Sequence, residues 1–178
     1  MKSLAEIGER ELVWRQPHFG TRRFELCAGD DVVAHLTWER ALGSLAVAEA
    51  FGDRYTFKRT GFLHPQATIR REGSDINLGV FTPAFGGSGP LKLANAPPYR
   101  WAATSFWSTR WAWLVDEEHP AVSFAPTMGF IRREAVVTLE PGACERGEAA
   151  LLVLFGWYLM LLHSDGVAAG AAVVAACG

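Results

Sequence analysis

Lysine is scarce in this chain, with three residues in 178 against fourteen arginines. Formal net charge is only −2. A broad positive field is therefore lacking, and no nucleic-acid partner is expected. Arginine suits planar contacts with carboxylate and phosphate, a bias that GC-rich codons also produce. Cysteine is scarce too. Cys27, Cys144 and Cys177 form no C-x-x-C pair, which argues against a zinc site or a disulfide framework and fits a reducing cytoplasm. His18, His35, His64, His119 and His163 lack the spacing of paired metal ligands, so no metal is expected. No G-x-S-x-G elbow occurs. Phe85-Gly86-Gly87-Ser88-Gly89-Pro90 lacks the Lys-Ser/Thr ending of a phosphate loop and reads as a hairpin tip. Asp116-Glu117-Glu118 reads as an exposed turn beside Pro120. No catalytic residue and no cofactor are expected. The first ten residues hold no apolar core, so they do not read as a secretory signal.

What the chain has is a patterned hydrophobicity, 49% of residues, with 20% charged. Such a composition supports a packed core, and the length suits one domain spanning residues 1–178. Before Glu140 the sequence breaks into short alternating stretches divided by Gly, Pro, Asp or Asn. This is the pattern of an antiparallel β protein. Strands are predicted near 10–16, 21–28, 31–39, 43–51, 54–60, 66–71, 76–81, 90–94, 99–108, 110–116, 121–125 and 131–140. Trp101, Trp107, Trp111 and Trp113 crowd one region and read as wall filling. In Ser44–Phe51 one face is Ala46, Ala48 and Ala50. An all-alanine face fills an ordinary core poorly and makes sense with something bulky against it, so these three are predicted to point inward.

Ala149 to Leu162 then runs without a charged side chain. A helix is predicted over about 147–163, followed by an Ala/Gly-rich stretch at 166–178 that reads as a second short helix, an extension of the first or a frayed end. A helix apolar on every side must be surrounded on every side, by protein or by lipid. The run is shorter than the ~20 residues of a membrane span, and extending it to Ala176 would place Asp165 near the middle at ~3 kcal/mol. The expectation is therefore a closed antiparallel barrel of about twelve strands around this helix. Leu151, Leu154, Phe155, Trp157, Tyr158 and Leu161 are its predicted core residues. His163 is expected at the helix end, beside the last carbonyls.

If Tyr55, Phe57, Ala67 and Ile69 point in, then Arg54, Lys58 and Arg70 point out on neighbouring strands. These three form the candidate site, a basic face for lipid headgroups.

The β-rich pattern, with Tyr55-Thr56-Phe57-Lys58-Arg59, Ala67-Thr68-Ile69-Arg70-Arg71, the Trp-rich strands and Leu151–Met160, resembles the tubby C-terminal-like group. That group comprises tubby domains, phospholipid scramblases and LURP-one-related proteins. The resemblance implies a closed barrel around the C-terminal helix, and links to phosphoinositides, membrane association and lipid scrambling. The chain departs from a scramblase in Leu139–Arg146, which lacks the alternating oxygen ligands of a calcium loop. Calcium is not expected, and the basic face is not a transfer from the family.

The resulting expectation is a non-enzymatic cytoplasmic barrel, peripheral to a membrane, acting through its outer surface. Its partner would be an anionic phospholipid surface or an unknown protein. Two alternatives compete: a tail anchor in which 149–176 spans a bilayer, and an open-mouthed barrel that carries or transforms a small ligand.

Overall fold

The computed structural model describes residues 4–7, 11–40, 43–61, 63–105, 109–116, 118–127 and 132–176. A short helix, α1 (Leu4–Ile7), precedes twelve strands. These are β1 (Leu12–Arg15), β2 (Arg23–Ala28), β3 (Asp31–Trp38), β4 (Ala46–Ala50), β5 (Asp53–Thr60) and β6 (Gln66–Arg71). They continue as β7 (Asn77–Phe81), β8 (Gly89–Leu93), β9 (Tyr99–Ala103), β10 (Trp111–Leu114), β11 (Pro120–Pro126) and β12 (Glu134–Leu139). Each strand pairs antiparallel with its chain neighbours, and β1 pairs with β12 from Leu12↔Val137 to Arg15↔Glu134. The sheet is a closed up-and-down barrel, which leaves no unpaired edge.

Every predicted strand is present, and alternation sets the faces of most of them, β10 being buried at all four positions. Ala46, Ala48 and Ala50 are buried, and Glu49 between them is exposed. The β4–β5 turn is tight. Phe51 and Gly52 both adopt positive φ, 52° and 93°, as a two-residue hairpin joining right-twisted strands requires. Trp107 lies outside the described residues; Trp101, Trp111 and Trp113 are buried inside the wall.

The last element, α2 (Ala149–Ala176), enters where β12 ends. Leu152 through Leu159 are buried without a gap, and so is Leu161. Of the predicted core residues, Leu154, Phe155, Trp157, Tyr158 and Leu161 are buried, and Leu151 is half-buried against the same core. Aromatic partners come from all around the wall. Trp157 packs on Trp14 of β1 and Phe24 of β2, with centroids 6.0 and 5.7 Å away. Tyr158 meets Trp38 of β3 and Phe57 of β5. Phe155 meets Phe57, Phe81 of β7 and Trp113 of β10. Each such side chain contributes ~1.5–3 kcal/mol by leaving water, so the helix is the main filling of the domain.

Two positions bring backbone and wall close together. On one side stands the alanine face of β4. On the other is Gly156, where a Cβ would lie 2.5 Å from Phe124 Cε2 and 2.9 Å from Trp113 Nε1. The missing side chain lets the Trp113 indole N–H donate to the Leu152 carbonyl at 2.9 Å.

Two expectations need correction. The helix begins at Ala149 and is 28 residues long, so the Ala/Gly-rich stretch extends it to Ala176. Alanine propagates a nucleated helix, and Gly166 and Gly170, at ~1 kcal/mol each, do not stop it. His163 is consequently inside the helix, and its ring packs on Trp111 with centroids 5.2 Å apart.

Candidate functional site

Register brings the predicted basic residues together. Arg70 stands opposite Thr56, between the positions of Arg54 and Lys58 on the neighbouring strand. It does not leave them as a basic face. Arg54 pairs with Glu49 at 2.9 Å and Glu72 at 2.7 Å. The Arg70 Nε–H donates to Asn77 Oδ1 at 2.7 Å, and its guanidinium lies 3.6 Å from Asp75. Lys58 is exposed, with no carboxylate partner among the described residues. The surrounding wall alternates in sign: Glu25, His35, Glu49 and Arg54 stand opposite one another across β2 to β5, and Glu72 follows. The shallow hollows over it share His35, Glu49 and Arg54. A headgroup there would compete with carboxylates already in place.

The ends of the barrel are not mixed. In an up-and-down barrel, alternate connections lie at the same end. The end where α2 enters has Asp30, Glu72, Asp75, Asp116, Glu118, Glu140, Glu145 and Glu148 in its connections, against Arg146. Several of these acids serve local structure. Asp116 Oδ1 accepts from the backbone N–H of His119 and Glu118 and lies 2.9 Å from the His119 ring. These bonds, that from the His119 backbone foremost, hold its carboxyl down at about 2. The predicted reading of this acidic run as a turn therefore has a geometric cause. Glu148 accepts from the Tyr99 hydroxyl at 2.6 Å. Burial, reinforced by that bond, pushes the Tyr99 phenol up.

The end where α2 leaves carries Arg22, Arg40, Arg110, Arg132 and Arg133 in its connections, against Glu39. The helix contributes one acid, Asp165, which accepts from Arg22 and Arg133 at 2.7 Å each. The rim is laced so that both arginines reach it. Gln16 exchanges two bonds of 3.1 Å with the Arg133 backbone, and Arg22 lies 4.7 Å from the Trp38 ring centre. Arg40, Arg110 and Arg132 are exposed, without a carboxylate partner among the described residues. Among the described residues of these connections, two large apolar side chains stand out in water, Phe19 at 73% and Leu63 at 83% exposure. Val32 and Ile76 are exposed as well, but at the acidic end. The helix continues from this cationic rim as Gly166–Ala176, without one charged residue.

This polarity escaped a strand-by-strand reading of the sequence. Its signal was present all the same, as arginines and acids segregated into alternate connections. Among the described residues no cluster of three His, Cys, Asp or Glu side chains is placed to hold a metal ion. Cys27 and Cys144 are free thiols, and burial pushes the Cys27 thiol up. Cys177 lies outside the described residues. No family model, curated protein or solved structure matches the chain.

Proposed function

We propose that this chain is a non-enzymatic, tubby-like barrel of the cytoplasm that docks the helix-exit end on an anionic membrane surface. One observation carries the reading. Arg40, Arg110 and Arg132, without a carboxylate partner among the described residues, protruding Phe19 and Leu63, and the uncharged continuation of α2 all occur at the same end. Cations attract the leaflet, and apolar tips enter it.

The magnitudes are adequate for reversible binding. Three exposed arginines near an anionic surface contribute ~1 kcal/mol each. Burying one or two apolar tips adds ~2–4 kcal/mol. A total near ~6 kcal/mol corresponds to tens of micromolar lipid.

The tail-anchor alternative uses the same helix. Ala149–Gly166 is long and apolar enough to cross a bilayer, yet 67% of that segment is buried inside the barrel. Spanning with it would empty the core of Phe155, Trp157 and Tyr158, so the docking reading is preferred.

Co-sedimentation of the full chain with phosphatidylcholine vesicles, with and without phosphatidylserine, tests the proposal. Binding should need the acidic lipid and fall with salt. Replacing Arg40, Arg110 and Arg132 together by Gln should weaken it about a hundredfold, at ~1 kcal/mol per charge. Replacing Arg54, Lys58 and Arg70 by Gln should change it little, since their acidic neighbours already offset the charge. Equal binding to neutral vesicles, or a larger loss from the second set, overturns the docking end.

A further inference from the structure

A cavity of about 370 Å³ opens beside α2 where the helix leaves the barrel. Phe81 and Leu159, both buried, face it, and Leu162, Pro65 and Pro83 complete an apolar lining. Three nitrogen-bearing side chains are in the lining, Arg59, Gln66 and His163, and of these only Arg59 is a permanent cation. Among the described residues neither an Asp nor a Glu lines it. Arg59 is exposed and has no carboxylate partner among the described residues.

The space has a structural cause. The β7–β8 connection approaches the helix through Gly87, at φ 88°. A Cβ there would stand 2.9 Å from His163 Nδ1. The His163 ring is thereby held between this connection and Trp111, and among the described residues no side chain fills the space beside Leu159 and Leu162.

We propose that this cavity binds one alkyl chain ending in a compact anionic head, a carboxylate or a phosphate monoester, with the head on Arg59. The lining selects the chain because a polar ligand would lose water without recovering its hydrogen bonds there. The guanidinium selects the head, since its fork of donors matches either oxyanion. A methylene needs about the volume of a water molecule, ~30 Å³, so the space suits a chain of about ten carbons. The size lies at the small end of ligand sites, ~300–1,000 Å³. The inference goes beyond membrane docking and does not depend on it, because Arg59 is outside the docking set.

Calorimetric titration of the full chain with decanoate and with decyl phosphate, below micelle formation and without vesicles, tests it. Saturable binding of either anion at one per chain is expected, the tighter of the two identifying the head. Decanol and decyltrimethylammonium should bind at least tenfold more weakly. Arg59→Gln should weaken the anion about tenfold or more, the loss of a charge-assisted hydrogen bond. Leu162→Trp, at a half-buried wall position, should abolish binding by filling the space while leaving the thermal midpoint near that of the parent chain. Anion binding that is absent, equal to that of decanol, or unchanged in folded Leu162→Trp overturns the proposal. Vesicle sedimentation of Leu162→Trp separates the two ideas: the variant should still dock, because none of the docking residues is altered.

Discussion

Gly156→Ala sets two rules against each other. In an exposed helix the change would stabilise by ~1 kcal/mol, because glycine costs backbone entropy. Here the new methyl would meet the Phe124 ring, 2.5 Å away at Cε2, and Trp113 Nε1 at 2.9 Å. Phe124 and Trp113 are fully buried, so neither can swing aside into solvent. Overpacking of this kind costs ~1–3 kcal/mol. If the indole is pushed off the Leu152 carbonyl, its N–H remains buried without a partner, at a further ~1–3 kcal/mol. Setting the propensity gain against these costs gives a net loss near ~3 kcal/mol. Equilibrium urea unfolding of parent and variant would measure it, read as a shift in midpoint at unchanged slope. A second variant, Gly156→Ala with Phe124→Leu, should recover part of the loss by clearing the ring. A Gly156→Ala protein as stable as its parent, or more so, would refute the close approach of helix and wall on which the description of the core depends.

Alkaline pH should destabilise the fold in a way that Tyr158 partly controls. Burial, the largest cause, pushes this phenol well above its usual range, and its hydroxyl donates to the Ser44 carbonyl at 2.7 Å. The folded chain keeps the proton that the unfolded chain loses near pH ~10. This contribution is therefore whole below pH ~10 and declines above it by up to ~1.4 kcal/mol per pH unit. Urea midpoints at pH 9 and 11 should converge in Tyr158→Phe relative to the parent; an unchanged difference counts against the buried phenol. Asp165→Asn removes the acid shared by Arg22 and Arg133. Being partly exposed, these pairs contribute only ~1 kcal/mol between them, so the unfolding midpoint should shift slightly. The same change makes the helix-exit end more positive, and binding to phosphatidylserine vesicles should tighten about fivefold. Weaker binding would contradict the docking orientation.

Local pattern accounts for much that was legible in the sequence. Period-two alternation located most of the twelve strands, because most have a single face to bury; β10, buried at all four positions, is the exception. The alanine face of β4 announced a bulky neighbour, and the uncharged run from Ala149 announced what that neighbour was. The basic face was misread because charge was assigned along single strands. Glu49 stands opposite Arg54, and Glu72 reaches it from the β6–β7 connection; neither relation is visible until pairing and register are known. The sequence left the length of α2 open because Gly166 and Gly170 weigh against helix in isolation, whereas a helix already nucleated inside the barrel continues through them to Ala176.

The amino-acid sequence by itself determined which segments are strands, which faces most of them bury, and that the uncharged run from Ala149 to Leu162 must be enclosed. These follow from hydrophobic periodicity, which acts over a few neighbouring residues. Only the tertiary structure decided which charges neutralise each other and which end of the barrel is left cationic. Those outcomes depend on residues brought together from far apart, as when Arg22 meets Asp165 across 143 positions of chain, and such meetings are set by closure and register rather than by local pattern.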